Sequence, residues 1–381
     1  MRIAIIGGKL QGVEAIYLAH KAGWETVLID SSSRLPASGL ADIRHQFDIS
    51  EISRFTSALE GVDLIIPATE NRRALNILEK WSRTSPIPVM FDSNTYNISS
   101  SKLSSGDLFS KIGIPAPEPW PQCGFPVVAK PSGGSGSEGV RIFRDQQQLE
   151  NSFPGSLPPE GWIFQEYLEG PFYSFEVIGK PGDHKTLQVT DLWMDAEYDC
   201  KRVSAPTELS SVLIDKFRSI SIQIAAALKL HGIMDVEIIL HKGELKVLEI
   251  DARLPSQTPT VVYHSSSINI LEMLHSKNNE NSIASSAQRG VIYEHIRVTP
   301  GSLEVCGEHI MATAGPLHLS ENFFGADEAL TNYNPGMDKW SATLIITGSG
   351  LKEAKQKREN VIKNIRARFK LGLYIDPEPY K

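Results

Sequence analysis

The sequence predicts an α/β protein, with an open parallel-sheet domain in front and mixed α+β structure behind it. Three stretches carry that expectation. Residues 2–30 read as strand, glycine turn, helix and strand; residues 125–143 as two apolar runs around a glycine-rich loop; residues 234–251 as a hairpin bearing carboxylates. At 381 residues there is material for two or three domains with their own cores. A net charge of −7 argues against a general nucleic-acid or membrane-surface binder. Cys123, Cys200 and Cys306 are odd in number and widely spaced, which suits a reducing cytoplasm and neither a disulfide framework nor a zinc site. The first apolar run, Ile3 to Ile6, is too short for a signal peptide or a membrane span.

In the front domain, RIAII (2–6) is a buried strand, Gly7-Gly8 the turn, GVEAIYLAHK (12–21) a helix and ETVLI (25–29) the next strand, ending at Asp30. This βαβ unit invites a nicotinamide-dependent oxidoreductase using Gly7, Gly12 and Asp30, but Lys9 occupies the place of the middle glycine. VDLIIPA (62–68) is another buried strand. Glu70 and Arg72 follow its C-terminal end, where open parallel sheets carry ligands; the same residues also fit a helix start with Thr69 as N-cap. Val89 to Phe91 reads as a last strand, and the polar residues 93–101 suggest a boundary.

Lys102 to Lys111 reads as a helix stopped at Gly113, and the prolines between 115 and 126 make an extended connector. The hairpin FPVVAKPSGGSGSEGVRIF then places Lys130 at the base of a loop holding Gly133, Gly134, Gly136 and Gly139. So little side chain lets backbone N–H groups close on a phosphate, and Lys130 adds a point charge. It is not the P-loop of GTPases, because Val140-Arg141 stands where Lys-Ser/Thr is needed and a strand follows. Val212 to Leu230 is a long amphipathic helix. Lys201 and Arg202 read either as a solvated turn or as a pair that steers phosphate.

MDVEIIL (234–240) and LKVLEID (245–251) pair as a hairpin through the turn 241–244. Period two puts Asp235, Glu237 and Ile239 on one face, and Val247, Glu249 and Asp251 on one face of the partner strand. Glu237, Glu249 and Asp251 can therefore converge, an oxygen-rich cluster that suits Mg²⁺ together with substrate phosphates. Arg253 follows on the same face. Residues 275–289 read as a polar loop, and the helix Leu351 to Phe369 carries a core stripe, its charges a solvated face.

In this order the parts resemble the ATP-grasp ligase superfamily over essentially the whole chain. The resemblance implies an ATP-grasp fold with a Rossmann-like N-terminal substrate domain (1–92), a central ATP-grasp domain (93–285, lid subdomain about 116–170) and a C-terminal α+β domain (286–381). It implies ATP and two Mg²⁺ ions as cofactors. Lys102 and Lys130 would contact the α- and β-phosphates, and Ser132, Gly133, Gly134, Ser135, Gly136, Ser137, Glu138 and Gly139 would form a lid, poorly ordered without nucleotide. The hinge Glu166-Tyr167-Leu168 would read adenine, Glu169 the ribose, and Glu237, Glu249 and Asp251 would hold the metal. The third metal ligand is more often Asn in this superfamily, so the site carries an extra negative charge here. Arg253 would hold an acyl phosphate and its oxyanion.

From the GGKLQGVEAIYLAHKAG opening to the LEIDARLPSQTPT segment the chain further resembles ligases that join two amino acids. That resemblance implies 3-methylornithine and L-lysine as substrates, in pyrrolysine biosynthesis. Such diamines need acids for ammonium groups and a base for the carboxylate, and Leu10, Gln11, Glu70, Arg72, Ser174, Glu176 and Ser256 are the candidates, with Glu176 as proton acceptor. Gln257 stands about where a biotin carboxylase has a glutamate, and no biotin-carrier segment is seen. Another amino-acid ligase or a carboxylase is the neighbouring alternative; a homo-oligomer and a second nucleotide near Gln11, Gly12 and Asp30 are compatible with the sequence.

Overall fold

The computed structural model describes residues 1–134, 136, 139–155, 158–275 and 288–379. Its chain divides into two compact units. The first holds residues 1–93, 187–208 and 253–381; the second holds 94–186 and 209–252.

The first unit opens with strands β1 (Arg2–Ile6), β2 (Glu25–Asp30), β3 (Ile43–Gln46) and β4 (Leu64–Pro67), all parallel in the order β3-β2-β1-β4. This is the expected Rossmann-like front, and its helix Leu10–Lys21 starts two residues earlier than the sequence suggests. The first turn is tight because the backbone there leaves no room for side chains. A Cβ on Gly12 would lie 2.3 Å from the Gly7 carbonyl oxygen, and one on Gly7 2.4 Å from that of Ala68. Ile6, Val27, Ile29, Phe55 and Ile65 close the core beneath the sheet. The Val89–Phe91 strand shrinks to one bridge, Ile65 to Val89. The helix after β4 runs Arg72–Ser82, capped by the Asn71 side chain, which accepts from Ala74 N–H; Thr69 is not its N-cap.

The helix Ser93–Ser99 leads into the second unit and replaces the expected polar boundary segment. Ser101 caps the next helix, Lys102–Ile112, and Gly113 ends it in the left-handed conformation. The glycine-loop hairpin is β5 (Val127–Pro131) and β6 (Arg141–Phe143), antiparallel, with β7 (Trp162–Glu166) on the other side of β5. Val127, Ala129, Phe143, Leu149 and Phe164 form its core. Strand β8 (Phe172–Lys180) follows, and β9 (Asp183–Met194) passes from one unit to the other.

In the first unit β9 pairs with β10 (Cys200–Ala205). In the second, the helix Ser211–Leu228 leads to β11 (Gly232–His241) and β12 (Glu244–Asp251), and β11 lies antiparallel between β12 and β8. The rest of the first unit is antiparallel except at its last strand: β13 (Gly290–Thr299) lies between β10 and β17, with β14 (Ser302–Val305), β15 (His318–Glu321), β16 (Glu328–Thr331) and β17 (Trp340–Gly348), while β18 (Leu373–Ile375) runs parallel to β14. The helix Leu351–Phe369 packs Ala354, Val361 and Ile365 onto this sheet, as its stripe predicts. Among the described residues, no helix is long and apolar enough to cross a membrane.

Lys201 and Arg202 are neither a solvated turn nor free to steer phosphate. Both lie in β10, and Lys201 is fully buried. Its Nζ sits 2.6 Å from Asp376 Oδ1, while Arg202 and Arg358 each bridge Glu294 and Asp376.

Candidate active site

The expected metal ligands of the second unit lie in a grid of carboxylates. Register pairs Glu237 with Glu249 and Asp235 with Asp251 across β11 and β12; on the other side it pairs Glu237 with Ser174 and Asp235 with Glu176. Directly opposed residues share a face. One row therefore reads Glu176, Asp235, Asp251 and the next Ser174, Glu237, Glu249. Ser174 and Glu176 are fully buried and Asp235 nearly so; the Ser174 hydroxyl donates to Asp235 Oδ1.

A bulge at Leu248 adjusts the register beside the grid, because Glu237 faces Glu249 while Ile238 faces Val247. Val247 consequently shares a face with Ile238 and is buried in the core. The strict alternation expected from the sequence, with Val247 beside Glu249, is corrected by that one extra residue. Glu249 and Asp251 stay together beyond it.

Two lysines stand against the grid. Lys102 Nζ lies 2.8 Å from Glu249 Oε1 and 2.5 Å from the Gly134 carbonyl oxygen, so it links the glycine loop to the carboxylates. Lys130 is buried, and desolvation brings its pKa from 10.5 down to about 8, opposed by Glu249 and Glu237 and reinforced by Lys102. Ser132 ties the loop base to the Lys102 helix, its hydroxyl accepting from Leu103 N–H at 3.1 Å. Gly133, Gly136 and Gly139 are exposed and Gly134 half-buried. Ser135, Ser137 and Glu138, and with them the expected disorder of the lid, lie outside the described residues.

In the stretch expected to be the hinge, the Glu166 side chain is occupied. Burial would raise its pKa, but the hydrogen bond from Lys246 and that from Glu118 N–H hold it below the usual range. Tyr167 N–H donates to Pro126 at 3.3 Å, and Leu168 is buried. Glu169 places its carbonyl oxygen 2.9 Å from His241 Nδ1.

The remaining candidates belong to the first unit. Glu70 is gripped by Arg253 Nη2 at 2.8 Å and by Gln11 Nε2 at 3.0 Å, so three residues that are far apart in sequence form one cluster. Leu10, half-buried, opens the helix that carries Gln11. Arg72 is exposed at the first position of its helix. Ser256 donates to Glu308 at 2.8 Å, and Gln257 to the same oxygen at 2.7 Å. Glu308 has its pKa raised by burial and by Asp199, against the pull of these hydrogen bonds and of Arg253. Glu308 and Asp235 are the polar residues the sequence reading missed. Asp235 was legible in period two, whereas nothing local marks Glu308. Asp30, the proposed ribose acid of an oxidoreductase, accepts from Gly8 N–H at 3.0 Å and Ser32 N–H at 2.9 Å, the work of a turn residue.

A carboxylate grid with two lysines and a glycine hairpin defines a class, and comparison places the chain in it: residues 99–257 match the ATP-grasp domain family. The chain is 36% identical over 380 residues to the 3-methyl-D-ornithine–L-lysine ligase of Methanosarcina acetivorans, covering 96% of this chain and 98% of that one. It is 35% identical to the ligase of the same name from Methanosarcina mazei, covering 96% of both. Among solved structures, N5-carboxyaminoimidazole ribonucleotide synthetase from Thermotoga maritima superimposes with a TM-score of 0.65 at 22% identity, covering 95% of this chain and 98% of that one. An L-amino acid ligase from Bacillus licheniformis gives 0.69 at 16%, covering 95% and 97%. Both share the fold. The chain belongs to the ATP-grasp superfamily and, within it, to the family of the Methanosarcina ligases.

Proposed function

We propose that the chain is an ATP-dependent ligase that joins 3-methyl-D-ornithine to L-lysine through an amide bond, releasing ADP and phosphate. The observation that carries this reading is the grid itself, in a chain a third identical to those ligases along nearly its whole length. Its donor set is all oxygen and carries several negative charges on one face, the chemistry Mg²⁺ takes when it also binds phosphates. Glu237, Glu249 and Asp251 would hold two Mg²⁺ ions. Bound Mg²⁺ neutralises charge on the transferring phosphoryl group.

The protein's own side chains do the rest. Lys102 and Lys130 bind the α- and β-phosphates, and the loop from Ser132 to Gly139 covers them. Glu166, Tyr167 and Leu168 receive the adenine and Glu169 the ribose. A carboxylate oxygen of 3-methylornithine attacks the γ-phosphorus; the lysine ε-amine then attacks the acyl carbon, and phosphate leaves. Arg253 stabilises the oxyanion formed in between. That amine has a pKa of about 10.4 in water, so a base must take its proton, and Glu176 is the proposed acceptor. Leu10, Gln11, Glu70, Arg72, Ser174 and Ser256 are assigned to the amino-acid substrates. The free thiols Cys123, Cys200 and Cys306 suit a cytoplasmic enzyme of pyrrolysine biosynthesis.

A nicotinamide-dependent oxidoreductase using Gly7, Gly12 and Asp30 would leave the carboxylate grid and the glycine loop without a role. The test is incubation with ATP, Mg²⁺ and both amino acids. The reading expects phosphate release that needs both, and a product of their summed mass less water. ATP turnover indifferent to amino acids would sink it.

A further inference from the structure

The turn that carries Ser256 is strained and held from outside. Thr258 N–H donates to the Ser256 carbonyl at 2.9 Å, and Gln257 between them has φ 75° and ψ −59°. This is a γ-turn of the rare, strained hand, a conformation that persists only where its surroundings over-determine it. The turn opens the helix Thr258–Ser266, which has no side-chain cap from Gln257 because that amide donates to Glu308 at 2.7 Å. Pro259 brings no N–H, and Thr260 N–H is one of the first-turn donors that find no acceptor inside their own helix.

Glu14 supplies the acceptor. It lies in the helix Leu10–Lys21, and its Oε1 accepts from Thr260 N–H at 2.6 Å across 246 residues of chain. The side chain is 1% exposed, in a helix face otherwise suited to apolar packing. Burial brings its carboxyl from 4.5 up to about 7, opposed by hydrogen bonds from Thr260 and Gln257 and reinforced by Glu308. A buried acid costs free energy that an apolar contact would save; what this one contributes is the bond to the turn. Further along, the same two helices are joined by Tyr17 Oη to His264 Nε2 at 2.6 Å, and Asn269 Nδ2 donates to the Leu18 carbonyl at 2.8 Å. Those ties do not reach the turn.

We propose that Glu14 is a positioning residue for an amino-acid substrate: it holds the backbone of the strained turn while Glu308 holds the Ser256 and Gln257 side chains, which fixes the Ser256–Glu308 pair in place. The proposal rests on the assignment of Ser256 to an amino-acid substrate made above.

The test joins amide hydrogen exchange, which needs no substrate, to steady-state kinetics on the full chain. Glu14→Leu removes the acceptor at similar volume. Exchange at Thr260 should quicken by about tenfold or more. The KM for one of the two amino acids should rise about tenfold, with kcat and the KM for ATP within about twofold of the parent. Glu14→Gln, which keeps an acceptor oxygen, should recover most of both effects. Should Glu14→Leu not fold, Glu14→Asp, shorter by one methylene, takes its place with the same expectations. Unchanged exchange at Thr260 would overturn the clamp. An unchanged amino-acid KM, an ATP KM raised in equal proportion, or Glu14→Gln as impaired as Glu14→Leu would overturn the positioning role. A parent chain that forms no amide overturns the ligase reading and the role of Ser256 with it, while the exchange comparison still decides the clamp.

Discussion

In the first unit, Lys201, Arg202 and Arg358 meet Glu294 and Asp376 with a cation against a carboxylate at each contact, at 2.6 Å for Lys201 to Asp376 and 2.7 Å for Arg358 to Glu294. In the second, carboxylate faces carboxylate across three strands, Glu237 against Glu249 and Asp235 between Asp251 and Glu176. Both clusters take charge out of water. The first sets three cations against two carboxylates of the same chain and works as structure, tying the last strand and the segment after it to β10 and β13. The second places like charges side by side in register, with Lys102 against Glu249 at its edge. Opposite signs in contact indicate a staple; like signs in register indicate a site.

The sharpest way to break this comparison is to remove one charge from each cluster. Glu249→Gln should lower turnover by roughly 10²–10³-fold while leaving the fold intact, since it nearly conserves volume and trades the repulsion by Glu237 against the lost ion pair with Lys102. Wild-type rates would mean that the metal assignment is wrong. Asp376→Ala should do the opposite: it leaves the fully buried Lys201 without its carboxylate, a loss of about 3–5 kcal/mol, read by urea unfolding. The Asp376 carboxyl, burdened by burial but held well below its ordinary value by Arg202 and Lys201, contributes stability above the unfolded carboxylate pKa. That contribution fades only as pH falls toward the depressed folded value. A variant as stable as the parent would count against the staple.

Lys130 sharpens the contrast through pH. Its folded pKa of about 8 lies below the ordinary 10.5, so the folded state sheds this proton first. Stability should rise between those values as a buried charge disappears. Nucleotide affinity, which needs the cation, should fall over the same range. Lys130→Met should bind ATP weakly with no such decline, and a decline that persisted would assign it to another group. The smallest effect expected is that of Ser174→Ala, which removes one donor to Asp235 and should cost about 1 kcal/mol. A change in the Mg²⁺ dependence of turnover at nearly constant stability would connect Ser174 to the grid.

Much of this was legible in the chain. The βαβ front follows from apolar runs and glycines, and the convergence of Glu237, Glu249 and Asp251 from period two and a recognisable hairpin turn. The rest depended on partners that lie far apart in sequence. Glu176 joins the grid only because β8 pairs with β11, and no local pattern encodes that neighbour. The bulge at Leu248 displaces Val247 without any glycine to announce it. Lys201 and Arg202 looked like surface charge because Asp376, their neutralising partner, comes at the far end of the chain. Glu308 gained significance only from Ser256 and Gln257.

The central claim is that a carboxylate is activated by γ-phosphoryl transfer before the amine attacks. It is tested most directly with 3-methyl-D-ornithine labelled with ¹⁸O in its carboxylate, incubated with ATP, Mg²⁺ and L-lysine. If the oxygen that attacks the γ-phosphorus leaves with it, one label per turnover appears in inorganic phosphate, and ADP forms in equal amount. Label in AMP, or unlabelled phosphate alongside amide product, would contradict the account.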